Sequence, residues 1–395
     1  MLEIILFLFL GILVGIIMGL IPGIHPNMIV LAVPILASLD IGNLPLLAFI
    51  IAIGITNTMV DFIPSIFFGA PESGKELSTL PGHRMLMKGY GYDAIKLAVV
   101  GGAGAVIFIT LLLPLLILIV PLAFVTLRPI IYLLLLAIVL LMILTEKGRN
   151  KIIAAAIFMI SGSIGLLMNR FPLDSTLVLF PVFSGFFGLG LLFLQIRNKA
   201  KIPKQKSSES FFSRKQMNRS VVAGSLGGVA AGFLPGVGSS EIATLATLDK
   251  NDKSFLVTTG ALTMANIILS ILCLWLISRP RSGLAVVINQ LAEVGFNEVI
   301  FIVIVSLITV GIAVVLTLKL AKFFLNIIEK INYDFISKII VAFVVALSVA
   351  FTGWLGLFLL VLCTALGIFT NLSNVKRGNL MGVLILPTLL FYAGL

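Results

Sequence analysis

Charge is scarce in this chain. Asp, Glu, Lys and Arg make up 11% of its 395 residues, hydrophobic residues make up 60%, and mean hydropathy is +1.21. So little charge places the sequence among polytopic membrane proteins. Apolar runs fill nearly the whole length and leave no room for a sizeable soluble domain. Cysteine is equally rare: Cys273 and Cys363 are the only two, and both lie inside apolar runs. They read as packing residues rather than a disulfide or a metal pair. With only His25 and His83 besides, a multi-ligand zinc or haem site is not expected, and no cofactor is. No paired-aspartate metal motif and no Ser–His–Asp order in a suitable context stands out, so an enzyme is not expected. The N-terminus lacks a basic region and a small-residue cleavage site, and Glu3 sits where lysines would stand. Residues 4–21 are therefore expected to remain as membrane structure.

The charge that is present is concentrated. The net value is +11, and Arg197, Lys199, Lys201, Lys204, Lys206, Arg214, Lys215 and Arg219 face a single acid, Glu209, in one serine-containing stretch. Residues 197–219 read as a solvated linker, placed on the cytoplasmic side by the positive-inside rule. Anionic lipid is a second use for such a segment. Nucleic acid is not expected, because no aromatic residues interleave the charges. Alternating spans then put Lys75, Arg84, Lys88, Lys96, Lys147, Arg149, Lys151, Lys319, Lys322, Lys330, Lys338, Lys376 and Arg377 inside. Outside remain Arg128, Arg170, Arg279 and Arg281, with Glu293 and Glu298. Both termini are expected outside a cytoplasmic membrane.

A duplicated motif organises the rest. Gly11, Gly15 and Gly19 precede Pro22-Gly23, and Gly224, Gly228 and Gly232 precede Pro235-Gly236 without a gap, 213 residues further on. Glycines four apart leave a smooth strip on a helix, against which another backbone packs closely. Pro-Gly then breaks the helix. Further matches follow in order: Asn57 with Asn266, Pro71-Glu72-Ser73-Gly74 with Pro280-Arg281-Ser282-Gly283, and Gly102 with Gly311, all 209 apart. Gly165 and Asn169 match Gly367 and Asn371 at 202. Such colinear order predicts an internal duplication, with residues 1–196 as the first repeat, 197–219 as the linker and 220–395 as the second repeat. Each half crosses an odd number of times on this map. The expected fold is thus an all-α polytopic membrane protein of two inverted-topology repeats, each a Pro-Gly-broken, re-entrant hairpin plus about five transmembrane helices.

A helix broken inside an apolar segment exposes backbone groups that lipid cannot satisfy. The break must be buried in protein or hold a ligand, and two matched breaks favour the ligand. The first tip, at 22–27, carries Gly23, His25, Pro26 and Asn27; the second, at 235–240, carries Gly236, Gly238, Ser239 and Ser240, followed by Glu241. Two half-helix N-termini form a cradle for an anion such as a carboxylate. Asn57, Asn266, Ser73, Gly74 and Ser282 are further candidates for substrate contact. Asp61 and Glu241 are the candidate proton or cation carriers, since an acid at membrane depth is costly. Plainer readings stand beside these: Ser239 and Ser240 as helix caps, His25 as a buried histidine bonded to a carbonyl, Ser282 and Ser73 as turn or cap residues.

Gly15-x3-Gly19-x2-Pro22-Gly23-Ile24-His25-Pro26-Asn27, with its apolar continuation to Pro34, resembles the opening of the large membrane subunit (TctA-like) of tripartite tricarboxylate transporters. Ser65-x5-Pro71, the segment Pro81-Gly82-His83-Arg84-Met85-x3-Gly89 and Gly232-x2-Pro235-Gly236-Val237-Gly238 are similar to that family as well. Asp61-Phe62-Ile63-Pro64 and Glu72 to Leu77 depart from it, and Met381 to Pro387 looks like a stand-alone branch. The resemblance implies uptake of a carboxylate driven by an ion gradient, with Na⁺ ahead of H⁺ as the coupling ion. It also implies a small membrane subunit and an extracytoplasmic binding protein as partners. The expected activity is secondary transport of a small organic anion, with a midplane site between the two tips. A membrane enzyme acting on a lipid-linked substrate is the alternative, and a passive channel or scramblase the third. A homodimer is a further candidate assembly.

Overall fold

The computed structural model describes residues 1–21, 41–67, 76–168, 170–171, 175–190, 203–206, 212–232, 251–328 and 333–394, with the short stretches 29, 36, 38, 192–193, 242–243, 246–247 and 249. These residues are overwhelmingly α-helical. Seven helical segments among them are long and apolar enough to cross a bilayer: 2–20, 43–67, 91–144, 150–168, 252–277, 296–327 and 337–372. The protein is an all-α, multi-pass membrane protein.

In the first half the elements are α1 (Leu2–Leu20), α2 (Asn43–Val60), α3 (Phe62–Phe67), α4 (Glu76–Met87), α5 (Gly91–Leu127), α6 (Ile131–Leu144), α7 (Asn150–Met168) and α8 (Ser175–Phe183). α8 runs on into a π-helical turn, Ser184–Leu189. The second half has α9 (Arg214–Ala231), α10 (Asp252–Ile277), α11 (Gly283–Leu291), α12 (Phe296–Ile328), α13 (Tyr333–Leu372) and α14 (Gly382–Ala393).

Glycine spacing sets the closest contacts. Gly11, Gly15 and Gly19 of α1 lie against Phe49, Ala52, Ile53, Thr56, Asn57 and Val60 of α2. Gly224, Gly228 and Gly232 of α9 lie against Thr258, Ala261, Leu262, Ala265, Asn266 and Leu269 of α10. Each α10 residue stands 209 positions after its α2 counterpart, so the contacts recur residue by residue. A methyl built on Gly15 would approach the Asn57 backbone nitrogen to 3.2 Å; one on Gly228 would approach the Asn266 backbone nitrogen to 3.0 Å. A second recurrence lies further along. Gly185 and Gly367 line the contact between the π-helical turn and α13, while Gly382 and Gly165 line that between α14 and α7. Gly165 faces Val383, and Gly367 faces Phe186.

α2 is buried from Pro45 to Val60 except at Phe49. A helix apolar on every side is built for such a position. The outer part of α5 is the reverse, with Leu111, Leu118, Leu122 and Val125 all strongly exposed. On a membrane protein that surface belongs to lipid. Among the described residues, buried apolar side chains form two clusters. One is centred on α2, α5, α10 and α12. The other gathers α6, α7, the π-helical turn and α14 around Cys363.

Three features go beyond the sequence reading. The polar stretch from Ala70 to Lys96 is not simply a loop: α4 forms within it, with Met85 and Leu86 buried in the core. The apolar residues on either side of Gly353 form one run, α13, broken there by a φ of 59° and a ψ of −154°, which are non-helical. That left-handed conformation favours glycine. Part of the linker is docked rather than solvated. The Lys206 N–H donates to Gly89 O at 2.8 Å, and the Gly91 N–H donates to Gln205 Oε1 at 3.0 Å. The Gln205 amide in turn donates to Leu86 O.

Candidate functional site

Of the predicted site residues, the described ones are Asn57, Asp61, Asn266 and Ser282. Gly23, His25, Asn27, Ser73, Gly74, Gly236, Gly238, Ser239, Ser240 and Glu241 lie outside the described residues.

Of these four, Asn57 is the one among the buried polar side chains without a partner, a group that also includes Ser225 and Thr258 on the neighbouring helices α9 and α10. Asn57 is fully buried in α2, and among the described residues neither its side-chain amide nitrogen nor its amide oxygen has a hydrogen-bond partner. Thr56 beside it is also buried, its hydroxyl without a partner among the described residues. Thr58 is satisfied locally, its hydroxyl donating to Gly54 O at 2.7 Å. Leaving a buried amide unmade costs on the order of 1–3 kcal/mol. Buried polar atoms are nearly always satisfied, so an exception calls for a physical explanation. The backbone around Asn57 is fully engaged. The Asp61 N–H donates to Asn57 O at 2.9 Å, and α1 glycines pack over both peptide groups. The side chain is thus held firmly with its polar end unspent.

One helical turn on, Asp61 is buried and accepts from the Ser65 hydroxyl at 3.3 Å. Asn57, Asp61 and Ser65 are spaced by four, so they share one face across the α2–α3 junction. The stripe offers an amide with two donors, a carboxylate and a hydroxyl.

The second half repeats the stripe with a change. Asn266 is half-buried at the matched position in α10, next to Gly228. Ser270 is its neighbour one turn on and stands 209 residues after Asp61. Its hydroxyl donates to Ser282 Oγ at 2.7 Å. Ser282 caps α11, accepting from the Ala285 N–H at 3.2 Å. The structure therefore gives Ser282 the cap that the Pro-Arg-Ser-Gly sequence left open. Ser282→Ala is expected to lower stability by about 1 kcal/mol, while Ser282→Thr keeps both bonds. Melting temperatures of the two variants check this; equal loss in both would remove the cap. Ser270 was missed in the sequence. The repeat offset from Asp61 marks it, but a lone serine in an apolar helix carries no other signal.

The two stripes differ in charge. The first holds an acid where the second holds a hydroxyl, so pseudo-equivalent faces are not chemically equivalent. Among the described residues, no group of three or more His, Cys, Asp or Glu gathers in a way that would hold a metal ion.

A relative, an uncharacterized protein of Methanocaldococcus jannaschii, is 32% identical over 401 residues, covering 98% of this chain and 98% of its own length. No solved structure matches the chain. Residues 5–382 match the Tripartite tricarboxylate transporter TctA family. That family supplies membrane components of transporters for tricarboxylates, in systems with a binding protein and a small subunit. Paired glycine strips, an apolar helical body and a match spanning nearly every residue agree: the chain belongs to the tripartite tricarboxylate transporter TctA family.

Proposed function

We propose that this chain is the translocating subunit of an ion-coupled secondary transporter for small di- and tricarboxylates. The unsatisfied amide of Asn57 carries this reading. Its natural partner is a carboxylate oxygen or a hard cation that arrives with the substrate. Asn266 provides the matched group from the other half. The Pro-Gly tips at 22–27 and 235–240 complete the site near the midplane, with Gly23, His25, Asn27, Gly236, Gly238, Ser239 and Ser240 offering backbone and side-chain donors. Asp61, with Glu241, takes Na⁺ or a proton. Asp61 has no acidic counterpart at Ser270, which makes the ion path asymmetric although the scaffold is duplicated.

The two halves are read as inverted repeats, with the linker cytoplasmic and both termini outside. Contacts among loops support this partition. The linker segment 203–206 lies on the α4–α5 corner, and Lys322 sits over the Tyr92 ring. The Lys376 N–H donates to Glu146, in the loop before Lys147 and Arg149. All these positions belong to the side that charge assigns to the cytoplasm. Arg279 and Arg281, assigned outside, both stack on Phe124, one turn before Arg128.

The test is the thermal stability of purified protein against a panel of di- and tricarboxylates, in Na⁺ or choline. A ligand that binds only the folded state stabilises it by about 2.7 kcal/mol at a hundred times its Kd. The expected result is a shift that needs both one carboxylate and Na⁺. A shift with the acid in both cations would retain the substrate and remove Na⁺ coupling. No shift with any acid would sink the carboxylate reading.

A further inference from the structure

At the far end of α5 the guanidinium groups of Arg279 and Arg281 lie over one phenylalanine ring, and Arg128 stands one turn beyond it. Arg279 lies 5.9 Å and Arg281 5.0 Å from the centre of the Phe124 ring. Arg128 follows one turn later and, with Arg279, lines a cavity of about 540 Å³ walled by Phe124, Phe391 and Tyr392. Among the described residues none of the three arginines forms an ion pair. Arg281 lies over the same ring outside the cavity lining, and its Nε and Nη2 are buried without a hydrogen-bond acceptor among the described residues. Stacking on an aromatic face stabilises a guanidinium but leaves its in-plane donors unspent. Planar donors of that kind match the oxygens of phosphate.

The walls decide which phosphate. The cavity is open, and it lies at the end of an apolar stripe on α5. Leu111, Leu115, Leu118, Leu122 and Val125 recur at helical spacing on one face, and Leu118 is 70% and Val125 71% exposed. Phe391 on the opposite wall is also strongly exposed. A soluble anion has no use for such a stripe, whereas acyl chains would lie along it. Trp275 packs on Phe296 close by, 5.7 Å between rings, as aromatic residues do at a membrane–water boundary. Basic pockets beside spanning helices bind anionic head groups by this combination of charge and apolar wall.

We infer that Arg128, Arg279 and Arg281 form a binding site for the phosphate of an anionic phospholipid, its head in the cavity beside Phe124 and its chains along α5. Because the site bridges α5, the loop after α10 and the end of α14, an occupying lipid ties the two halves together at this end. It shares no residue with the Asn57 stripe.

The experiment uses delipidated full-length protein with three probes: phosphatidylglycerol, phosphatidylcholine of the same chains, and free glycerol phosphate. Native mass spectrometry counts retained lipid, and melting temperature reports its effect. Wild type is expected to keep one phosphatidylglycerol and to melt higher with it, while phosphatidylcholine and glycerol phosphate do neither. Arg128→Gln with Arg279→Gln, both at exposed positions, should weaken retention at least tenfold without changing the melting temperature in phosphatidylcholine. Arg281→Gln, at a half-buried position, should weaken retention as well. Equal retention of both lipids, or undiminished retention of phosphatidylglycerol by the double variant, would overturn the site. An equal effect of glycerol phosphate would overturn the lipid assignment in favour of a soluble anion.

Discussion

Gly260→Leu is expected to abolish recovery of folded protein. Gly260 of α10 and Gly101 of α5 sit where the two helices cross, each against the backbone of the opposite helix, at Ala98 and Val257 respectively. A methyl on Gly260 would overlap Ala98 O and lie 2.8 Å from its carbonyl carbon; one on Gly101 would overlap Val257 O and lie 2.9 Å from its carbonyl carbon. No rotamer change relieves a clash with a main chain. The helices must separate, which unpacks Ala98, Val257 and Met59, all completely buried. Overpacking costs about 1–3 kcal/mol where side chains can move aside, and more where they cannot. We expect a loss beyond about 4 kcal/mol, enough to unfold a marginally stable protein. Gly311 supplies the control. It is the repeat counterpart of Gly102, yet a methyl there meets nothing within 4 Å. Gly311→Leu should leave stability within about 0.5 kcal/mol of wild type. Size-exclusion profiles and melting temperatures of detergent-extracted protein read both effects. A monodisperse Gly260→Leu protein that melts with the wild type would show that the crossing is looser than described.

That contrast also shows what the sequence could and could not reveal. The glycine triplets were legible because a strip of small residues has one mechanical use on an apolar helix. Their contacts with α2 and α10 repeat at the offset that separates Asn57 from Asn266. Gly102 and Gly311 match equally well in sequence, but their surroundings diverge: Gly102 meets Met59 and Gly311 is exposed. Only packing distinguishes them. α4 was hidden because its sequence is polar and contains Pro81, and its helical state depends on burying Met85 and Leu86 under tertiary contact. The docked linker was hidden for a related reason. Gln205 looks solvated until its amide is seen to bridge Leu86 O and the Gly91 N–H. Of the site, Asn57 and Asp61 were legible as polar groups in apolar runs, whereas Ser270 was not, since hydroxyls in membrane helices commonly bond their own backbone. Ser270 instead reaches Ser282 across a turn.

Asn57→Leu should separate stability from function. Leucine has the same branching at Cγ as asparagine and no polar atoms. Where the amide is completely buried and neither atom has a partner among the described residues, the substitution removes a desolvation penalty of about 1–3 kcal/mol. Melting temperature should therefore rise or hold, while transport and the shift given by a stabilising carboxylate with Na⁺ should disappear. A group kept for packing would behave in the opposite way, because its loss would open a void or strain the helix. Asn266→Leu should abolish transport too. Its gain in stability should be smaller, because a half-buried amide is already partly hydrated. The measurement is paired: a melting curve with and without ligand, and counterflow in liposomes. An Asn57→Leu protein that melts lower and still transports would remove the amide from the site and return it to the structural framework. Retained stability with lost transport would instead identify this amide as a functional polar group whose burial costs stability in the empty protein, as functional positions commonly do. The ligand would then supply the missing partner, so that binding and the relief of a buried polar group are one event.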